Sequence, residues 1–208
     1  MKDEVTLEIS GVTVRRGGRQ LGPVSLSIGK GEWASLVGAN GSGKSSILEA
    51  IAGFLPVESG VIRLGGREVT GLQALTEPWQ RGIGWLGQQR GLWPHMTLRE
   101  QAQLLCENPN PDTIEKTAEA LDLQALIDRR PDQLSGGEAQ RGELLRTICG
   151  GAPVLILDEP FSAQNRQQRD RIIELLQSEL ETGRSILLAV HEPIEGIDSY
   201  HLDEEASL

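Results

Sequence analysis

The chain has 208 residues, 38 % of them hydrophobic, and a formal net charge of −10. That length holds one sizeable core. An acidic chain is repelled by phosphate backbones, which disfavours general nucleic-acid binding outside a local basic patch.

Cys106 and Cys149 lie far apart without a CxxC partner and so support neither a disulfide framework nor a cysteine-rich metal site. They read as free buried thiols in a reducing cytoplasm. The start, MKDEVTLEIS, carries no secretory signal. The apolar runs fall well short of the roughly 20 residues that cross a bilayer. The expectation is a soluble protein that reaches a membrane only through another chain. Six acidic residues and no Lys or Arg fall between Glu192 and Leu208, as in a solvated end.

In chain order, Val5 to Ile9 and Val24 to Ile28 alternate apolar and polar residues, which predicts two strands separated by the turn material RRGGRQLGP. Trp33 to Val37 is nearly continuous in apolar residues, as for a strand buried on both faces. Lys44 to Gly53 predicts a helix with Ile47, Leu48 and Ile51 on one side and Gly53 as its stop. Strands are predicted next at Glu58 to Gly66 and Ile83 to Leu86. Thr97 to about Arg130 has helical spacing, broken at ENPNPD, Glu107 to Asp112. A helix from Glu138 to Cys149, a buried strand at Val154 to Leu157, a helix over Arg166 to Leu180 and a buried strand at Ile186 to Val190 complete the pattern. Buried strands alternating with helices predict an α/β fold. Its central sheet is mainly parallel, with helices on both faces and antiparallel strands at the N-terminus. Residues 1–89 and 151–208 form the expected core of one domain, with 90–150 as an inserted helical sub-domain.

Gly38-Ala39-Asn40-Gly41-Ser42-Gly43-Lys44-Ser45 fits the P-loop pattern G-x-x-x-x-G-K-[ST], between a strand and a helix, with Ser46 following. Glycines let successive N–H groups wrap a phosphate, and the helix adds the positive end of its dipole. Lys44 is expected on the β- and γ-phosphates, and the Ser45 hydroxyl on Mg²⁺. Val154 to Leu157 ends in Asp158 and Glu159. A strand-end acid beside the metal fits Asp158, and Glu159 is placed to polarise the attacking water. Leu134-Ser135-Gly136-Gly137-Glu138 opens another helix with a second donor-rich N-terminus. One site needs one cradle, so the second implies another ligand or a shared one.

LSGGE followed by Ala139-Gln140-Arg141 resembles the signature of the ATP-binding cassette (ABC) ATPases, usually LSGGQ-x-QR. The resemblance covers about residues 5 to 200. It implies that Gln88, in Ile83 to Gln88, is the metal- and water-sensing glutamine, with Gln89 as competitor. It also implies that His191 is the γ-phosphate switch histidine. Leu92 to Thr97, LWPHMT, is similar to the L-F-P-H-x-T run of importer ATPases.

The resemblance implies an ATP-hydrolysing, Mg²⁺-dependent subunit that powers a transporter, with import favoured. Two copies, identical or different, face each other, and Ser135, Gly136 and Gly137 of one close over the γ-phosphate held by the other. Integral membrane permease subunits are the implied partners, with docking around residues 88–105, and the location is cytoplasmic, peripheral at the inner face of the cell membrane. A soluble non-transport cassette and a weakly hydrolysing ATP sensor are the rival readings.

Two departures stand out. Where the family places an aromatic residue against adenine, this chain has Val14-Arg15-Arg16-Gly17. Arg16 is the candidate substitute. The family's S-A-L-D stretch reads Ser162-Ala163-Gln164-Asn165, which predicts slower hydrolysis or weaker coupling between sites. The chain stops 17 residues after His191, so no C-terminal regulatory domain is expected. Trp33 and Trp85 are expected in the core, and Trp93 is a candidate partner anchor.

Overall fold

The computed structural model describes residues 5–70, 76–89, 91–106 and 111–202. Strands β1 (Val5–Arg16) and β2 (Arg19–Gly29) form one long hairpin whose turn is only Gly17-Gly18. The nine residues read as turn material are therefore mostly strand. Both turn glycines have positive φ, 59° and 83°. A two-residue turn with that backbone matches strand twist, so pairing propagates to Arg16 and Arg19 despite the polar sequence. Strands β4 (Val57–Leu64) and β5 (Arg67–Glu68) complete an antiparallel sheet of order β2-β1-β4-β5.

A second sheet is wholly parallel, in the order β6-β7-β8-β3-β9. It comprises β3 (Trp33–Val37), β6 (Ile83–Leu86), β7 (Val154–Asp158), β8 (Ser185–Val190) and β9 (Asp198–His201). Every residue of β7 and β8 is buried, which is why these segments read as unbroken apolar runs. Val154 and Ile156 join one core and Leu155 and Leu157 the other, as the period-two alternation of a strand requires.

One core lies between the parallel sheet, α1 (Lys44–Ala52) and the antiparallel sheet. The other joins the opposite face to α2 (Leu98–Leu105), α3 (Pro111–Ala120), α4 (Gly136–Cys149) and α5 (Arg166–Glu181). Helices thus flank both faces, but α1 shares its face with strands. The helical spacing expected through Arg130 ends earlier, because α3 stops at Ala120 and residues 121–130 form turns. Leu121, Leu123 and Ile127 are buried there all the same, held by turn hydrogen bonds such as Leu126 N–H to Leu123 O. Residues 107–110 of the expected break lie outside the described residues. Among the described residues no helix is long and apolar enough to cross a membrane.

Candidate functional site

Parallel strands deliver their C-terminal ends to one edge, and the sheet order places β8 beside β3 there and β7 one strand further along. From β3 the chain enters the P-loop. Gly41 and Gly43 take left-handed φ values of 82° and 102°, which only glycine adopts without strain. Gly43 is the N-cap of α1 and supplies no side-chain acceptor, so the first helical N–H groups are not capped by their own chain. Gly38 is equally constrained, since a Cβ there would come 2.6 Å from Ser42 Oγ. The Ser42 hydroxyl itself is buried without a partner.

Lys44 is 4 % exposed, and its Nζ donates to Gly38 O at 2.6 Å and Ala39 O at 2.9 Å. Neutral carbonyls hold it; among the described residues it has no carboxylate partner within salt-bridge distance. A buried ammonium so held is ready for an anion. Gln88 Nε2 donates to Ser45 Oγ at 3.0 Å, which ties the end of the β6 segment to the first turn of α1. Gln89 borders the same cleft.

Asp158 is 3 % exposed, and its Oδ1 has no hydrogen-bond partner. Burial pushes its carboxyl above the usual aspartate range, against the opposing pull of the Ser45 hydroxyl. An orphaned buried acceptor beside a hydroxyl suits a hard cation with oxygen ligands. Among the described residues no group of three or more His, Cys, Asp or Glu could hold a metal. Such a cation would therefore need ligands from the phosphates as well.

Glu159 sits at φ 51°, which turns the chain sharply after the strand. Its N–H bonds Ala189 O at 3.0 Å, and its Oε1 lies 3.2 Å from His191 Nε2 at the end of β8. The His191 side chain is 49 % exposed and the Glu159 side chain 21 %. Glu159 lines the cleft beside the buried Asp158, whereas His191 does not line it.

The cleft encloses about 710 Å³ and runs from Lys44, Ser45 and Asp158 to Arg16 and Phe54. Arg16 pairs with Glu49 of α1, whereas Arg15 pairs with Glu58 of β4. Ser135 and Gly137 do not line this cleft. Gly136 borders a smaller adjoining hollow with Asp158 and Glu159. Ser135 accepts from Glu138 N–H while Glu138 accepts from Ser135 N–H, a capping box that starts α4.

Several residues in contact here had no role assigned from sequence. Gln140 donates to Glu159 O at 2.9 Å and to Ser162 Oγ at 2.7 Å. Gln164 donates to Gly137 O and Gln140 Oε1 and accepts from Arg141. These amides join the signature helix to the Glu159 loop within one chain. Glu49 lies four residues beyond Ser45, and that helical spacing was the available signal. Asn165 caps α5, accepting from Gln168 N–H at 2.9 Å. Trp33 and Trp85 are only partly buried, each packed against a core. Trp85 also edges the cleft, packed edge-on against Phe54. Trp93 lies partly buried beneath the Arg146 guanidinium.

The sequence profile of the ABC transporter family matches residues 21–162, which span the P-loop, the signature and both strand-end acids. This chain belongs to the ABC transporter family. The cassette is an ATP-binding protein and an ATPase. It is 37 % identical over 180 residues to the thiamine import ATP-binding protein of Histophilus somni, covering 83 % of this chain and 82 % of that one. It is 35 % identical over 181 residues to the sn-glycerol-3-phosphate import ATP-binding protein of Rhizobium meliloti, where the match covers 84 % of this chain but 51 % of that one. A dimeric ATP-binding cassette in a post-hydrolysis state, bound to ADP and Pi, superposes with a TM-score of 0.78 at 24 % identity, covering 95 % of this chain and 94 % of that one. At that identity the likeness shows the fold alone.

Proposed function

We propose that this cassette hydrolyses ATP with Mg²⁺ to drive import through a membrane permease. The single observation that carries the chemistry is the orphaned Asp158 Oδ1 beside the Ser45–Gln88 contact, with Glu159, the next residue of the chain, meeting His191. The backbone from Gly38 to Ser46 cradles the phosphates, and Lys44 exchanges its two carbonyl partners for phosphate oxygens. Ser45, Asp158 and Gln88 would hold the Mg²⁺, which when bound would offset the charge developing on the phosphates. Glu159 takes a proton from the attacking water, and His191, whose imidazole meets that carboxylate, holds the γ-phosphate side.

Import is supported by the relatives, which are import ATP-binding proteins for thiamine, sn-glycerol-3-phosphate and spermidine/putrescine. The partners in this reading are a second cassette and integral membrane permease subunits. Ser135, Gly136 and Gly137 do not line the main cleft, which supports a signature that serves the opposite copy's ATP. Helices α2, α3 and α4 form the arm that carries it, and the protein is cytoplasmic and peripheral at the inner face of the membrane through its permease.

The test is turnover against protein concentration, with Glu159→Gln as control. A rate that rises more than linearly and vanishes in the variant supports the dimeric motor. Linear dependence removes the shared-site part, and undiminished turnover in Glu159→Gln removes the proposed base.

A further inference from the structure

Of the three side chains assigned to the metal, two stand on regular elements and one does not. Ser45 belongs to α1 and Asp158 ends β7, but Gln88 lies beyond Leu86, the last residue of β6. Its contact with Ser45 depends on what holds the chain on either side of it.

Both sides are held by α4. Before Gln88, Trp85 O accepts from Thr147 Oγ1 at 3.2 Å, a proton that Thr147 shares with Glu143 O at 2.8 Å. After Gln88, Gly91 N–H donates to Glu143 Oε1 at 2.5 Å, and Gly91 O accepts from the Arg146 guanidinium. Glu143, Arg146 and Thr147 stand at i, i+3 and i+4, on one face of the helix. The approach is close, since a Cβ on Gly91 would come 3.0 Å from Arg146 Nη2 and one on Gly84 3.3 Å from Thr147 Cγ2.

Glu143 is 4 % exposed and borders the hollow that Gln88, Asp158 and Glu159 also line. Burial lowers the pKa of the Arg146 guanidinium, and the Glu143 charge opposes that shift. Apolar residues would hold a helix against a sheet at least as well as two buried charges. What they could not do is hold both the N–H and the C=O of one loop residue.

We propose that Glu143 is a positioning residue for the metal site, clasping Gly91 together with Arg146 and so fixing the segment that carries Gln88 to Ser45. Thr147 secures the other side of that segment. The inference rests on the proposed role of Gln88 at the Mg²⁺ and adds the group that sets it. Outer groups that orient a metal ligand govern affinity for the metal.

The test is calorimetric binding of a non-hydrolysable ATP analogue to the full chain, with Mg²⁺ and with a chelator. The ratio of the two affinities separates the metal-dependent part from phosphate binding. Glu143→Ala should reduce that ratio by about ten-fold and leave binding in chelator unchanged. Gln88→Ala should reduce it as much, and the double variant should lose no more than Gln88→Ala alone. Glu143→Gln keeps an acceptor for Gly91 N–H and should recover most of the loss. Thr147→Val, which serves if Glu143→Ala does not fold, should reduce the ratio by about three-fold.

Equal losses with Mg²⁺ and with chelator in Glu143→Ala would reduce the clasp to general packing and overturn the proposal. So would losses that multiply in the double variant, no recovery in Glu143→Gln, or an unchanged ratio in Thr147→Val. An unchanged ratio in Gln88→Ala would remove the metal role of Gln88, and the clasp with it. A reduced ratio there beside an unchanged one in Glu143→Ala would remove the clasp alone.

Discussion

At the P-loop end of the cleft the polar groups are buried and short of partners, whereas at the hairpin end they are exposed and already paired. Ser42 Oγ and Asp158 Oδ1 have no hydrogen bond, and Lys44 rests on carbonyls. Arg16 and Glu49, by contrast, satisfy each other, with 53 % of the Arg16 side chain exposed. An unsatisfied buried group regains a large interaction when a ligand arrives, while an exposed ion pair has little to gain. The contrast assigns most of the binding energy to the phosphates and leaves the base end to contribute orientation.

The sharpest way to break that contrast is to separate chemistry from binding at the buried end. Glu159→Gln should reduce turnover by about 10² to 10⁴-fold while ATP binding, measured by calorimetry, stays near wild type. A parallel loss of binding would mean that the carboxylate holds the nucleotide and does not act on water.

Lys44→Ala should weaken ATP binding by about 10²-fold or more, since a charge-assisted contact is worth about 1.5–3 kcal/mol and more than one is lost. If Arg16→Ala proves the costlier change, the ranking of the two ends is inverted.

Asp158→Asn should stabilise the ligand-free chain by about 1–3 kcal/mol, because it removes a buried charge with an unpartnered oxygen, and should raise the divalent-cation concentration that turnover requires. The sign of its pH dependence is set by the direction of the shift. Burial raises the folded-state carboxyl above its unfolded value, so the folded chain binds the proton more tightly. Its stabilising contribution is complete below the unfolded pKa and is lost as pH rises through the folded pKa. The gap in melting temperature between wild type and variant should therefore close in acid and open towards neutrality. A gap independent of pH would remove the charge argument.

The smallest effect concerns the loop after Glu159. Asp and Asn cap helices equally well, so Asn165→Asp should change stability by less than about 0.5 kcal/mol. Any rise in hydrolysis rate or cooperativity then reports the restored charge. If neither changes, Asn165 is only the cap of α5.

The P-loop and the acids after β7 were legible because each is a contiguous run whose function resides in backbone donors or a strand end. The hairpin was misread because polar residues such as Arg15, Arg16, Arg19 and Gln20 look like a turn. Strand pairing set by Gly17-Gly18 overrides that local preference. The helical reading past Ala120 failed for the opposite reason, since Leu121, Leu123 and Ile127 are buried by turns with apolar spacing close to that of a helix. Gln140 and Gln164 stood inside the quoted motifs, but their partners were not legible, because an amide's value depends on what it faces.

The sequence by itself determined the α/β class, the cradle and the identity of the strand-end carboxylates, since period and contiguous motif are local properties of the chain. Only the tertiary structure decided which of two adjacent arginines enters the cleft. It also decided that Gln88 meets Ser45, that Glu159 meets His191, and that Glu49 closes the far end. These are contacts between segments 32 to 43 residues apart, and their geometry is set by sheet order and strand facing.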